Sequence, residues 1–236
     1  MGRAPLWTAI RDTLGEEIAT GQYRAGDKLP TEARLADRFG VNRHTIRRAL
    51  ADLAEGGLVH ARRGAGVFVA HVQTSYPLGR RVRFHQNLRA AGRAPAKHVL
   101  SLETRHTHAR EAEALSLSPG DRVHVYEGLS LADDVPIAVF RSVFPAARFP
   151  RMVEILRETP SVTAALDAQG VPDYTRAWTD VTAKPASDTM AQHLWINSGD
   201  PILRTVSVNT DLSGAPIEYG RSWFAGDRVA LSVGDP

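Results

Sequence analysis

The chain has no cysteine among its 236 residues, which excludes a disulfide framework and thiolate metal sites and fits a reducing compartment. Apolar runs fall short of the roughly 18 residues that a membrane-spanning helix needs. The N-terminus lacks the apolar core and cleavage signal of a secretory leader. We therefore expect a soluble, cytoplasmic protein without a membrane partner. Neither a Gly-x-Ser-x-Gly elbow nor a nucleotide-binding glycine loop is present, so we predict no catalytic residues and no cofactor.

Acidic residues are missing from two stretches, 38–51 and 73–95. Residues 1–72 carry a net charge of +3, residues 73–95 carry +5 and the remainder carries −5, which gives +3 for the chain. Positive potential therefore belongs to the front half, and we do not expect the back half to bind nucleic acid. The length allows two modest domains, each with its own core.

Residues 29–70 predict a helix, a tight turn, a second helix and a hairpin. Thr31 is placed to cap the first helix, and Gly40 stops it in a conformation that glycine tolerates. Asn42 is the natural N-cap of the second helix, and Gly56-Gly57 end it. The hairpin then turns at residues 63–65. This order is that of a winged helix-turn-helix, in which the second helix enters the major groove of DNA.

The second helix supplies side chains that suit base edges and phosphates. Arg43 and Arg47 share one face at i,i+4, and arginine bonds both guanine acceptors at once. The wing tip is placed to reach the minor groove or a phosphate. The alternative is that these arginines form only a solvated helix face. We predict DNA contacts at Thr31, Arg34, Asn42, Arg43, His44, Thr45, Arg47, Arg63 and Gly64.

Residues 6–69 resemble the GntR family of bacterial regulators. The similarity includes a leading amphipathic helix with Leu6, Ile10, Leu14 and Ile18, followed by the Gly-Gln-Tyr-Arg-Ala-Gly-Asp-Lys-Leu-Pro segment at 21–30. The family's DNA-contacting positions fall on Arg43, Thr45, Arg47 and the wing pair Arg63-Gly64. Many members carry arginine where this chain has Ala33, and Arg34 is the neighbouring candidate.

The second half contains an internal near-repeat. The first copy predicts a helix at 109–117, Gly120-Asp121, a strand at 123–131, a turn and Pro136-Ile137. The second predicts a helix at 186–195, Gly199-Asp200, a strand at 202–209, a turn and Pro216-Ile217. Each unit is a helix that feeds a β-hairpin, and two such units fit one antiparallel sheet about a pseudo-twofold axis. Chance similarity between hairpins is the alternative. We expect a ligand in the crevice between sheet and helices.

Residues 73–82 are polar and interrupted by proline and glycine, so we predict domains at 1–72 and 83–236 with a linker between them. An α+β domain that follows this winged helix-turn-helix resembles the HutC subgroup, whose sensor domain has a chorismate-lyase-like, UTRA-type fold. Within that subgroup, residues 76–78 and 83–88, with Gly92 and residues 41–45, most resemble regulators of phosphonate utilisation. The predicted fold class is therefore α+β, a winged helix-turn-helix followed by an antiparallel sheet with helices.

The resemblance also implies an effector site for a small anion such as a phosphonate or phosphate. The helix after residues 83–85 occupies the family's anion-binding place. The implied effector-binding residues are Arg83, Phe84, His85, Ser161, Thr163, Glu218 and Phe224. The alternative for Arg83 and His85 is a basic linker surface. In the subgroup's sugar-phosphate sensors two arginines bind the phosphate, and the corresponding positions of this chain are Gly128 and Ser130. A glutamate of those sensors corresponds to Phe140. Arg141 points to the other face if its strand is regular.

Other chemistry is weaker. His106-x-His108 has no carboxylate pair nearby, so we predict no metal site. We predict that Trp178, Trp195 and Trp223 are core aromatics together with Phe140, Phe144 and Phe149. We expect a ligand-controlled transcriptional regulator that acts as a repressor and binds double-stranded operator DNA as a homodimer. The alternatives are a HutC-type regulator of another carboxylate or sugar-derived effector, or a lyase-like enzyme fused to a DNA-binding module.

Overall fold

The computed structural model describes residues 5–62, 64–70, 73–81, 84–90 and 92–233, without the side chains of Arg62 and His85. The chain divides into two compact units, Met1–Val72 and Gln73–Pro236. Within the described residues, no helix is both long enough and apolar enough to span a bilayer.

The first unit contains three helices and a hairpin. The elements are α1 (Leu6–Ala19), α2 (Glu32–Phe39), α3 (Arg43–Glu55), β1 (Val59–Arg62) and β2 (Gly66–Val69). The hairpin pairs Val59 with Val69 and Arg62 with Gly66. Hydrogen bonds from Leu29 N to Val67 O and from Val69 N to Asp27 O, each 2.9 Å, add the preceding segment as a third chain beside the wing.

Local capping fixes the helix-turn-helix as the sequence predicts. The Thr31 side chain accepts from Arg34 N, and the Asn42 side chain accepts from Thr45 N at 2.8 Å. Gly40 ends α2 with φ of +63°, a left-handed conformation that costs glycine little. These caps fix where α2 ends and α3 begins. The apolar side of α3, with Ile46 and Leu53, is buried, and the opposite side is exposed to solvent.

The core of this unit lies between the three helices and the wing. Its fully buried residues include Leu14, Leu35 and Ile46, and Trp7 and Phe39 pack at its margin. Of the four apolar residues named for the amphipathic α1, Ile10 and Leu14 are buried and Ile18 packs against the core, whereas Leu6 is 63% exposed.

The second unit is built on one six-stranded antiparallel sheet in the order β4-β5-β6-β9-β8-β7. A separate two-stranded pair joins β3 to β10 in parallel. The strands are β3 (Thr74–Pro77), β4 (Pro95–His106), β5 (Arg122–Ala132), β6 (Val135–Pro145), β7 (Tyr174–Pro185), β8 (Pro201–Asp211), β9 (Pro216–Ala225) and β10 (Val229–Ser232). The helices are α4 (Phe84–Ala90), α5 (Ala109–Leu115), α6 (Met152–Glu158), α7 (Val162–Asp167) and α8 (Asp188–Leu194).

The near-repeat is present as two equivalent units, β4-α5-β5-β6 and β7-α8-β8-β9, which meet where β6 pairs with β9. The equivalence extends to details. Residues 116 and 195, which end α5 and α8, have φ of +54° and +52°, and each following turn is closed by an aspartate carboxylate. Thr107 N donates to Asp121 O and Ala186 N to Asp200 O, both at 2.8 Å. The predicted pseudo-twofold arrangement is confirmed.

The two faces of the sheet are covered differently. Val143 of β6 lies in a cluster with Leu115 of α5, and Val139 lies in a cluster with Leu194 of α8. The alternate residues Phe140 and Phe144 lie in a cluster with residues of α6 and α7 on the opposite face. The equivalent helices α5 and α8 therefore cover one face, while α6 and α7 cover part of the other.

The prediction of a linker at 73–82 is corrected. Residues 74–77 form β3, which is paired with residues 229–232 of β10. Arg80 O accepts from Arg176 N at 2.8 Å, and Arg81 makes an ion pair with Asp173. The segment looked like a linker because its partners lie about 95 to 155 residues away and leave no local signal. It is tied to the second unit over its described length.

The aromatic prediction holds only in part. Phe140, Phe144 and Phe149 are buried, but Trp178 is 42% exposed and Trp195 is 64% exposed. Trp178 lies on β7, an edge strand with neighbours on one side only, and Trp195 is the left-handed residue that ends α8. Neither position turns its side chain into the core.

Gly128 in the middle of β5 makes a testable contact. A Cβ atom there would lie 2.5 Å from the carbonyl oxygen of His98 and 2.8 Å from Cζ of Phe140. Gly128→Ala should therefore destabilise the chain by about 1–3 kcal/mol through overpacking, seen as a lower urea midpoint by circular dichroism. Gly15→Ala is the control. Its nearest atom is Leu53 Cδ2 at 4.0 Å, so it should stabilise α1 by about 0.5–1 kcal/mol. An unchanged midpoint for Gly128→Ala would contradict the close packing of Phe140 on β5.

Candidate functional site

Seven of the nine residues predicted to contact DNA belong to α2, α3 and the residues that cap them. Thr31 and Arg34 stand at the start of α2, and Asn42 caps α3. Arg43 and His44 follow in the first turn of α3 and are exposed, while Thr45 is half-buried and donates its hydroxyl to Asn42 Oδ1 at 2.9 Å. The side chains of Thr31, Asn42 and Thr45 are thus partly committed to capping.

Arg47 is exposed to solvent, and its guanidinium is hydrogen-bonded to the Glu32 carboxylate. Its Nη2 donates to Glu32 Oε2 at 2.8 Å and its Nε to Oε1 at 3.2 Å, so the guanidinium and carboxylate meet in a fork. The hydrogen bond lowers the pKa of Glu32, and the nearby charge of Arg43 adds to the effect. Arg48, one residue further along α3, instead lies over the Trp7 ring at 4.6 Å and faces α1.

At the wing, Gly64 is exposed with φ of +77°, whereas Arg63 lies outside the described residues. Ala33 is half-buried and Arg34 beside it is exposed. The neighbouring arginine that we expected to stand in for an Ala33 contact therefore does reach the surface.

The second unit contains a cavity of about 310 Å³ on the sheet face that carries Phe140. Strands form its floor, and residues of β3, α4 and the start of α7 form its walls. The lining residues are Tyr76, Phe84, Gln86, Arg89, Lys97, Ser130, Ala138, Phe140, Ser142, Ser161, Val162, Thr163, Tyr174, Arg176, Asn209, Glu218, Ser222 and Phe224.

Five of the residues predicted to bind the effector line this cavity. They are Phe84, Ser161, Thr163, Glu218 and Phe224. Thr163 Oγ1 is 3.0 Å from the Tyr174 hydroxyl, and Ser161 caps α7 by accepting from Ala164 N. Arg83 and the His85 side chain lie outside the described part of the chain.

Lys97 is one of three cationic lining residues, with Arg89 and Arg176, that were not among the predicted effector residues. Its Nζ lies 4.5 Å from the ring centroid of Phe140, 5.5 Å from that of Phe84 and 5.6 Å from that of Tyr126. Burial lowers the pKa of Lys97 to about 8, an effect that the negative charge of Glu218 partly offsets. Within the described residues its ammonium makes no ion pair, so aromatic faces are its main electrostatic partners.

Glu218 anchors a polar network at the centre of the sheet. Ser142 Oγ donates to its Oε1 and Asn209 Nδ2 to its Oε2, each at 2.6 Å. Asn209 Oδ1 in turn accepts from Arg176 Nε at 2.7 Å, and Arg176 Nη1 donates to Thr179 at 3.2 Å. This chain holds the carboxylate and the guanidinium in fixed positions on one cavity wall.

The positions that carry charge in sugar-phosphate sensors are filled differently here. Phe140 lies against Gly128, and a side chain at Gly128 would collide with that ring. Ser130 pairs with Lys97 across the strands, so the ammonium approaches from β4. Arg141 forms an ion pair with Glu127 and does not line the cavity, as its position in a regular strand predicts.

The missed lining residues had only a weak signal in the sequence. Residues 205–209 alternate polar and apolar, a pattern that is typical of a half-exposed strand. The polar members Thr205, Ser207 and Asn209 are all buried, because that face of β8 is covered. Asn209 also lies opposite Arg176 of β7, a pairing that no short-range pattern could indicate.

His106-x-His108, the rejected metal motif, has a structural role at its first residue. His106 Nδ1 is 2.8 Å from the Gly120 carbonyl, and His108 is the N-cap residue of α5.

Comparison with known families agrees with both units. Residues 6–69 match the model of the gntR family of bacterial regulatory proteins, and residues 90–230 match the UTRA domain. HTH-type transcriptional regulator RB1450 of Rhizobium meliloti (strain 1021) is 39% identical over 229 residues, which cover 97% of this chain and 94% of that protein. Probable transcriptional regulator PhnF of Escherichia coli (strain K12) is 32% identical over 220 residues, which cover 92% and 90%.

A solved structure gives the same result. The crystal structure of PhnF from Mycobacterium smegmatis matches with a TM-score of 0.66 and 26% identity, over 96% of this chain and 99% of that one. These similarities are to transcriptional regulators rather than enzymes. The chain therefore belongs to the GntR family of bacterial transcriptional regulators, in the group that joins the family's helix-turn-helix to a UTRA domain.

Proposed function

We propose that the protein is a cytoplasmic repressor whose affinity for operator DNA is controlled by a small anionic effector, such as a phosphonate or phosphate compound, bound in the UTRA domain. The observation that carries this proposal is the cavity, which is lined by three cationic side chains (Arg89, Lys97, Arg176) and one carboxylate (Glu218). A net positive lining with hydroxyl groups at Ser161 and Thr163 suits an anion that also accepts hydrogen bonds.

On the DNA side, the exposed face of α3 would lie in the major groove, with Arg43 and Arg47 at base edges or phosphates. Thr31, Arg34, Asn42, His44 and Thr45 surround that face, and the wing residues Arg63 and Gly64 would reach the neighbouring backbone. One such surface makes few base contacts, so we propose a homodimer on an inverted repeat.

Effector binding would be transmitted through residues 73–81. Tyr76 of β3 lines the cavity and lies 5.4 Å from the ring of Phe224. The same segment bonds to Arg176 and Asp173, and it directly follows the first unit. An effector that binds more tightly to one conformation of residues 73–81 would shift the population towards that conformation. Operator affinity can then change by no more than the difference in the effector's affinity for the two conformations.

The relatives support a phosphonate link only by analogy, since PhnF is the name of two of them. The alternative effector is another carboxylate, held by the cavity cations, or a neutral sugar-derived compound held by Glu218 and the cavity hydroxyls. Lys97→Met would weaken binding of either anion but not of the neutral compound, and screening phosphonates against carboxylates would separate the two anions.

The DNA-contacting face of α3 gives one prediction. Arg43→Ala and Arg47→Ala should each lose about 1–3 kcal/mol of operator binding, with an unchanged melting temperature. Arg48→Ala is the matched control on the same helix, since Arg48 stacks on Trp7, and it should alter operator affinity little. Gel shifts on the native upstream region would measure all three. Equal losses for Arg48 and Arg43 would contradict the assignment of the contact face.

The cavity gives a second prediction, in which the pKa of Lys97 matters. Because protonated Lys97 attracts an anion and its pKa is about 8, affinity should be highest below pH 8 and fall as pH rises through that value. Ethanesulfonate is a suitable probe, since its own charge is constant there. The phenol of Tyr126 has its pKa raised to about 12 by burial and stays neutral.

The measurement is the ligand-induced rise in melting temperature at pH 7 and pH 9.5. Lys97→Met should lose most of the rise at pH 7 and show no change with pH. An undiminished rise in Lys97→Met would remove Lys97 from the anion site.

A further inference from the structure

The cavity has both a positive and a negative group on its lining, and each is placed by contacts that do not neutralise it. Lys97 is surrounded by the rings of Phe84, Tyr126 and Phe140. Glu218 accepts from Ser142 and Asn209, which are both neutral donors. The two charges are close enough for Glu218 to raise the pKa of Lys97, yet neither forms an ion pair within the part of the chain that the structure describes.

Glu218 keeps capacity for a ligand. A carboxylate offers about four acceptor sites, and the two observed bonds take one on each oxygen. Its bonds to β6 and β8 fix its orientation from both neighbouring strands. Arg176 does not approach it directly, because its Nε and Nη1 are bonded to Asn209 and Thr179. The remaining acceptor sites of Glu218 are therefore open to a donor from the cavity.

A simple anion uses only the positive part of this lining. In the cavity of about 310 Å³ it would be attracted by Lys97, Arg89 and Arg176, but it would be repelled by Glu218 and would leave that carboxylate without a positive partner. A ligand with an anion at one end and an ammonium at the other gains at both. The apolar rings of Phe84, Phe140 and Phe224 would contact the short carbon chain between them.

From this geometry we infer that the effector is a small zwitterion, with its anionic group at Lys97 and its ammonium at Glu218. The inference rests on the proposed function, since it names the class of anion that the same cavity takes. The class is an ω-aminoalkyl phosphonate, phosphate or carboxylate with a short carbon chain.

Matched ligand pairs test this in the full-length protein by calorimetry and thermal shift. The pairs are 2-aminoethylphosphonate with ethylphosphonate, O-phosphoethanolamine with ethyl phosphate, and β-alanine with propionate. In at least one pair the amino compound should bind about tenfold tighter or more, which corresponds to about 1.4 kcal/mol. The pair with the largest difference identifies the anionic group. This comparison needs no variant, so it remains decisive if a substitution fails to fold.

Glu218→Gln should change the affinities of the two members of a pair in opposite directions. The amino compound should lose about tenfold in affinity, while its partner without nitrogen should gain a few-fold because the repulsion is gone. Glu127→Gln is the control, since it also removes a carboxylate, but one that pairs with Arg141 and does not line the cavity, and it should preserve the preference. Melting temperatures without ligand check that each variant is folded.

The outcomes separate the two proposals. If the amino and non-amino compounds bind equally in every pair, or if Glu218→Gln strengthens both, the zwitterion is wrong and the anionic effector stands. If no anion of any pair binds, the anionic effector itself is wrong, and the zwitterion with it.

Discussion

The pairing of β6 with β9 is the constraint on which the second unit depends. It joins two equivalent helix-and-hairpin units into one sheet, with Val143 opposite Tyr219 and Ala138 opposite Phe224. Without that seam each unit would expose the inner edge of its hairpin, which is costly for a strand without a partner. The same seam brings Ser142 next to Glu218. The bond from Ser142 to Glu218 is therefore a product of the junction, whereas the bonds of Asn209 to Glu218 and Arg176 lie within the second repeat.

The cavity follows from symmetry in the sheet and asymmetry in what covers it. The helices α5 and α8 are part of the repeat, and they pack on equivalent places of one face. The other face is covered by α6 and α7, which have no counterpart, and by β3 and α4 at the start of the unit. These segments do not fill the face completely, and about 310 Å³ remains between them. The walls of the cavity are therefore formed partly by segments outside the repeat.

The sequence predicted those features that depend on near neighbours. The caps at Thr31 and Asn42, the stop at Gly40 and both repeat hairpins follow from residues within a few positions of each other, and all are present. The winged helix-turn-helix was also predicted by resemblance, as were cavity-lining residues such as Glu218. Contacts that join distant segments were missed. Tyr76 reaches the cavity because β3 pairs with β10, and Lys97 reaches it because β4 lies beside β5 with Gly128 making room for Phe140. No local pattern encodes either pairing.

The two candidate sites hold their cations in different ways, and the difference suits their ligands. Arg47 forms an exposed ion pair with Glu32, and exposed ion pairs contribute about 0–1 kcal/mol to the stability of a protein. A duplex that supplies many phosphates can displace a weak partner of this kind at little cost. A small effector makes far fewer contacts, so its binding free energy would offset the loss of an ion pair in a half-buried cavity less easily. Lys97 is held by aromatic faces instead, and these need not be displaced when an anion arrives, because the ammonium can contact both at once.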